Sequence, residues 1–184
     1  MFFIIGLGNP GAQFEHTRHN AGFMAIDFFA KENNFPDFKM SKKYASLISK
    51  KDDVFLAKPQ SFMNESGKAV KKIISNLKFQ ISNSNLVVVH DDIDLPLGKI
   101  KFSQKSGTGG HKGVDSVIQR LGHNDFIRLK IGIAVGDKKA EDVVLEKFSN
   151  EEQNILQGVL EKSAQALQYI IEHGIEKTMN EYHR

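Results

Sequence analysis

The sequence predicts an α/β fold, a single domain whose mixed and mostly parallel sheet is packed between helices. Three observations predict it. Apolar runs of strand length interleave with amphipathic segments of helix length along the chain. One run, Leu86-Val87-Val88-Val89, is unbroken, as expected of a central strand covered on both faces. Two short strands joined at Lys51-Asp52-Asp53 give a hairpin, so the sheet is not purely parallel.

In chain order, residues 2–7 read as a buried strand closed by the Gly8-Asn9-Pro10-Gly11 turn. Residues 21–32 read as a helix, with apolar Phe23, Met24, Ile26, Phe28 and Phe29 and with Asn20 as N-cap. Strands are predicted over 44–49 and 54–57, and a helix over 66–77. After the central strand comes a shorter one over 99–102. The Gly-rich stretch 107–113 leads into a helix over 115–121, and residues 128–134 alternate as a strand. Ser149-Asn150-Glu151-Glu152 has the pattern of a capping box and opens a long amphipathic helix to about His173.

The bulk numbers bound the function. At 184 residues, 40% hydrophobic and 26% charged, the chain suits one packed domain spanning residues 1–184. The absence of cysteine excludes disulfides, thiolate metal sites and cysteine nucleophiles. No apolar run reaches the length of a membrane span. The apolar start lacks a basic leader and a small-residue cleavage pattern, so a cytoplasmic location is expected. The net charge of +3 is mild and almost all lysine, with clusters at 42–43, 50–51, 71–72, 99–105 and 138–139. Such pairs usually mark solvated surface; together they permit a phosphate-binding face without demanding one.

Gly6-Leu7-Gly8-Asn9-Pro10-Gly11 matches the letters of a dinucleotide fingerprint but not its context. That fingerprint needs a helix opening at once against the pyrophosphate; here a polar loop, 12–18, intervenes. His19, just before a helix, is either a surface histidine or a general base. Asp91, Asp92 and Asp94 follow the strongest strand, where α/β proteins place their sites. Three readings stand: a Mg²⁺-binding carboxylate cluster, one carboxylate orienting a histidine, or an acidic turn before Pro96. Asn9 and Asn64 are turn residues or fixed hydrogen-bond donors to a carbonyl. Met63 is core filling or a substrate contact. The stretch 107–113 lacks Walker spacing but suits a mobile loop lining a site.

The joint order of these motifs carries more than any one. Gly-Leu-Gly-Asn-Pro-Gly is followed by Thr17-Arg18-His19-Asn20-Ala21-Gly22, then by Lys58-Pro59 with Phe62-Met63-Asn64-x-Ser66-Gly67. His90-Asp91-Asp92-Ile93-Asp94-Leu95-Pro96-x-Gly98, Gly109-Gly110-His111-x-Gly113 and Arg128-Leu129-Lys130-Ile131-Gly132-Ile133 complete the set. In this order they resemble the bacterial-type peptidyl-tRNA hydrolases from Phe3 to about Phe148 and on into the C-terminal helix. The resemblance implies a monomeric α/β domain that hydrolyses the ester between a peptide's carboxyl and the 3′ ribose of tRNA. It implies no cofactor and no metal, and a partner in peptidyl-tRNA, held by its acceptor stem and 3′ end. The family's base falls on His19, its orienting aspartate on Asp91, and its positioning asparagines on Asn9 and Asn64, with Met63 beside the peptide. With that, the metal reading of Asp91 recedes. A tRNA phosphate would meet Lys130, with Lys101 and Lys105 flanking the second basic position, which Ser103 fills here.

Two positions depart from the family pattern. Lys112 stands where asparagine is usual, so a cation with three donors replaces an amide. Retained activity with altered pH dependence is expected. Phe14 stands where tyrosine is frequent, keeping the ring of a substrate-side residue and losing its hydroxyl. The rivals to ester hydrolysis are a non-catalytic RNA-binding relative and a metal-dependent nuclease or phosphotransferase built on the three aspartates.

Overall fold

In a computed structural model, which describes residues 1–76, 85–134 and 143–182, seven strands form one sheet. They are β1 (Phe2–Gly6), β2 (Lys39–Ser41), β3 (Ser46–Lys51), β4 (Val54–Pro59), β5 (Leu86–Pro96), β6 (Ile100–Ser103) and β7 (Ile127–Ala134). Their order across the sheet is β2-β3-β4-β1-β5-β7-β6. The central pairs β4·β1, β1·β5 and β5·β7 are parallel, while β2·β3, β3·β4 and β7·β6 are antiparallel. Five α-helices accompany it among the described residues: α1 (Ala21–Glu32), α2 (Ser66–Asn76), α3 (Lys112–Leu121), α4 (Asn150–His173) and α5 (Ile175–Tyr182).

Strand alternation divides the core in two. Phe3 and Ile5 of β1, with Leu7 just after it, join Val70 and Ile73 of α2 and Val114 and Val117 of α3. Ile4 faces the other way, toward Ala25, Ile26 and Phe29 of α1 and Leu156, Leu167 and Ile170 of α4. A strand covered on both faces has no polar side to show, which is why β1 and the start of β5 read as continuous apolar runs.

The predicted mixed sheet, the hairpin and the capped long helix are all present. The hairpin turns at Asp52, whose φ is 48°. Ser149 accepts from the Glu152 amide at 3.3 Å while Glu152 reaches back to the Ser149 amide at 2.8 Å. Four local expectations need correction. Asn20 does not cap α1 with its side chain, because that amide is committed to the Asn9 backbone. The segment after Val89 is no turn: β5 runs on to Pro96, past the three aspartates, although Asp92 Oδ1 does accept from the Asp94 amide at 2.9 Å. α3 begins three residues earlier than predicted, at Lys112. Short 3-10 turns replace the expected loop over 12–18. Leu77 and the lysine pair at 138–139 lie outside the described residues.

β1 reaches the site with little room to spare. A Cβ on Gly22 would lie 2.4 Å from the Val89 carbonyl and 2.5 Å from that of Leu7. Only glycine lets α1 start so close to β1 and β5, and this closeness brings His19 over the end of β5.

Candidate active site

The site lies at the C-terminal ends of the central parallel strands. Asn9 follows β1, Met63 and Asn64 follow β4, and Asp91 lies within the extended β5. His19 comes from the 3-10 turn Arg18–Asn20 that precedes α1, and His111 from the entry to α3. These residues surround a cavity of about 600 Å³, lined also by Phe62, Ile93, Gly109, Gly110, Lys112, Val144 and Leu145.

At its floor His19 and Asp91 are both buried. His19 Nδ1 lies 2.9 Å from Asp91 Oδ2 and 3.0 Å from Oδ1. With Nδ1 directed at a carboxylate, Nε2 is the nitrogen left for chemistry. The backbone holds the ring in place: the Arg18 amide donates to the Glu146 carbonyl at 3.0 Å and the His19 amide to that of Val144 at 2.8 Å. Arg18 also anchors the α4 N-terminus, bonding Glu152 at 2.6 Å and lying over the Phe148 ring.

Asp91 has a second partner, His111, whose Nε2 is 2.8 Å from Oδ1. Burial alone would raise the Asp91 pKa, yet His111 and His19 beside it hold the carboxyl well below the usual carboxylate range. Asp91 is therefore an anion shared by two imidazoles. His90, next on the strand, is buried with Nδ1 2.6 Å from the Asp91 carbonyl. Burial, helped by nearby His111, pushes its pKa well below the usual histidine value.

The asparagines are fixed differently. Asn20 clamps the Asn9 backbone, accepting from its N–H at 2.8 Å and donating to its C=O at 3.0 Å. Asn9 Oδ1 accepts the Met63 amide at 2.8 Å. The Asn9 NH₂ group is thereby left without a partner among the described residues. The Asn64 side chain is exposed, lines the cavity and likewise has no such partner. Two amide donors thus lie on the cavity wall near an imidazole, the donor set that holds a carbonyl oxygen or a water.

The ligating atoms of His19, Asp91 and His111 lie within 4.8 Å of one another, close enough to share a metal ion. The ring chemistry opposes it. His111 Nδ1 already accepts the Gly113 and Val114 amides at 3.1 and 3.2 Å, so its neutral ring carries the proton on Nε2. That nitrogen has no lone pair to give a metal.

His19, Asp91, Asn9, Asn64, Met63 and Lys112 are brought together; Phe14 is not. It is half-buried in the turn Ala12–Phe14 and does not line the cavity. The lysines lie apart from it as well. Lys101 and Lys130 are cross-strand neighbours on β6 and β7, with Lys130 Nζ held 2.6 Å from Asp92. Lys105 lies 3.7 Å from Asp125.

Sequence reasoning missed His111 and Asn20 as parts of the site. A signal for His111 existed: it occupies the slot just before a helix, after two glycines, where a ring nitrogen can cap.

A profile of the family described as peptidyl-tRNA hydrolase matches residues 3–184. The chain belongs to the peptidyl-tRNA hydrolase family. It is 45% identical to the peptidyl-tRNA hydrolase of Carboxydothermus hydrogenoformans, covering 100% of this chain and 99% of that one. It is 41% identical to that of Thermodesulfovibrio yellowstonii, with both chains covered in full at 100%. Its fold superposes on the crystal structure of the Acinetobacter baumannii peptidyl-tRNA hydrolase with a TM-score of 0.89 at 28% identity, covering 98% of this chain and 93% of that one. Family membership makes the chain a hydrolase of an ester bond. Among the described residues no helix is long and apolar enough to cross a membrane.

Proposed function

We propose that the chain hydrolyses the ester between a peptide's carboxyl and the 3′ ribose of tRNA, using His19 as general base and no metal. The observation that carries this reading is the buried His19–Asp91 pair, 2.9 Å apart, at the floor of a cavity walled by Asn9 and Asn64. His19 Nε2 takes a proton from water as the water oxygen attacks the ester carbonyl carbon. Asp91 keeps the ring in the Nδ1–H tautomer and stabilises the imidazolium that forms. Asn64, with a backbone N–H, donates to the developing oxyanion, and Asn9 holds the substrate end or the water. The intermediate collapses by breaking the bond to the 3′ ribose oxygen, which takes the proton back from His19.

Met63, Phe62, Val144 and Leu145 supply apolar wall for the peptide, and Lys112 sets a cation at the cavity edge. Phe62 and Leu145 remain 59% and 54% exposed. Lys101, Lys105 and Lys130 attract the tRNA phosphates. The chain, residues 1–184, acts as one monomeric domain in the cytoplasm, recycling tRNA during translation.

The test is product analysis with an N-blocked aminoacyl-tRNA in the presence of a chelator. Release of the blocked amino acid together with intact tRNA is expected. Cleavage of the RNA chain, or loss of release on chelation, would replace this reading with a nuclease or a metalloenzyme. Salt-sensitive tRNA binding without release would leave a binding protein.

A further inference from the structure

His111 has both ring nitrogens committed, and the two commitments constrain each other. It is the N-cap of α3: Nδ1 accepts from the backbone amides of Gly113 at 3.1 Å and Val114 at 3.2 Å. An imidazole nitrogen that accepts carries no proton, so a neutral ring must carry its proton on Nε2. That nitrogen lies 2.8 Å from Asp91 Oδ1. We propose that His111 is a positioning residue, in which capping α3 fixes the Nε2–H tautomer and so aims a standing N–H donor at the Asp91 carboxylate. It holds that carboxylate in the orientation that places both oxygens, at 3.0 and 2.9 Å, against His19 Nδ1. This assignment deepens the hydrolase reading and rests on it for the word positioning; the tautomer itself does not.

The surroundings make the donor rigid. The ring packs 5.0 Å from that of His19 and 4.7 Å from that of His90, centroid to centroid. Gly113 continues the constraint, since a Cβ there would lie 2.4 Å from Met63 Sδ, so the first turn of α3 lies directly on the cavity wall. On the other side the chain enters through Gly109 and Gly110, at φ of 60° and 75°, and the His111 amide bonds the Thr108 carbonyl at 3.2 Å. That loop is rooted in buried Arg128, which donates to the Gly107 carbonyl at 2.7 Å and to the Ser106 hydroxyl. A buried arginine, a glycine loop and a helix cap thus converge on one N–H.

The two roles of the ring can be separated. Asparagine is among the best N-caps but is too short to replace the far ring nitrogen. His111→Asn is therefore expected to keep α3 and the melting temperature while lowering kcat roughly tenfold with KM little changed, the loss of one bond to a charged group. The direct readout is the ring nitrogen spectrum of His111 in ¹⁵N-labelled wild-type protein at neutral pH. A protonated Nε2 with an unprotonated Nδ1 is expected. An Nδ1–H tautomer, an imidazolium, or a folded His111→Asn variant with unchanged kcat would overturn the assignment. The spectrum needs neither substrate nor variant, so a variant that fails to fold leaves it decisive. A wild-type protein inactive on peptidyl-tRNA would sink the hydrolase reading while the spectrum still settled the tautomer.

Discussion

The cavity floor and the lysine strip on β6 and β7 are built on opposite principles. At the floor, His19, Asp91 and His111 are enclosed, and each makes a bond that dictates the orientation of the next. On the strip, Lys101 is exposed and has no ion pair among the described residues, and Lys130 leans on Asp92. A reaction needs groups held in place before substrate arrives, whereas attraction to a polyanion needs only charge of the right sign. Damage to the floor should therefore stop turnover and leave binding, while damage to the strip should loosen binding and leave turnover at saturation.

The largest effect expected is that of His19→Ala. Loss of the general base should cost about 10²–10⁴ in kcat with tRNA affinity unchanged, as measured by single-turnover release and filter binding. Next comes Asn64→Ala. Removing one oxyanion donor should lower kcat by about 10²–10³, again without weakening tRNA binding; an equal rise in KM would make it a binding residue instead. On the strip, Lys101→Ala should weaken tRNA binding a few-fold and reduce the slope of log affinity against log salt by about one. If that slope does not change, Lys101 lies off the RNA path. A smaller effect is expected at the boundary between the regions. Lys112→Asn should leave kcat within a few-fold but reduce the salt sensitivity of KM, since it removes one exposed cation from the cavity wall. Unchanged salt sensitivity would mean that Lys112 does not meet the substrate.

One prediction concerns stability. His90 is held neutral by burial, and its folded pKa lies well below the ordinary value of 6.5. Below that value the unfolded chain takes up a proton that the folded chain refuses, so stability falls as pH drops through it. His90→Phe should flatten that decline, read as the change in denaturant midpoint between about pH 7.5 and about pH 5.5. A decline as steep as wild type would assign the acid sensitivity elsewhere.

Much of the fold was legible because the signals are local. The unbroken run at Leu86, the Lys51-Asp52-Asp53 turn and the Ser149 capping box each act within a few residues. The failures came where tertiary contacts outweigh local chemistry. Asn20 has the residue type of an N-cap, but its amide was drawn to the Asn9 backbone eleven residues away. The aspartates after Val89 look like a turn, yet β7 pairs with them through Asp92 and draws them into a strand. The site residues came from a resemblance rather than from periodicity, since nothing local distinguishes His19 from a surface histidine. Phe14 shows the limit of such transfer, because its ring does not line this cavity. His111 was overlooked because its role depends on which ring nitrogen the helix takes, a fact of geometry and not of residue type.

The central claim is that a metal-free His19–Asp91 pair performs the chemistry while the lysines only gather the substrate. The most direct test is single-turnover release from saturating N-blocked aminoacyl-tRNA, with chelator present, for wild type, His19→Ala and Asp91→Asn. Rapid release by wild type with both variants binding normally but releasing at least about a hundredfold more slowly is the predicted result. Release by His19→Ala at the wild-type rate, or arrest of the wild type by the chelator, would contradict it.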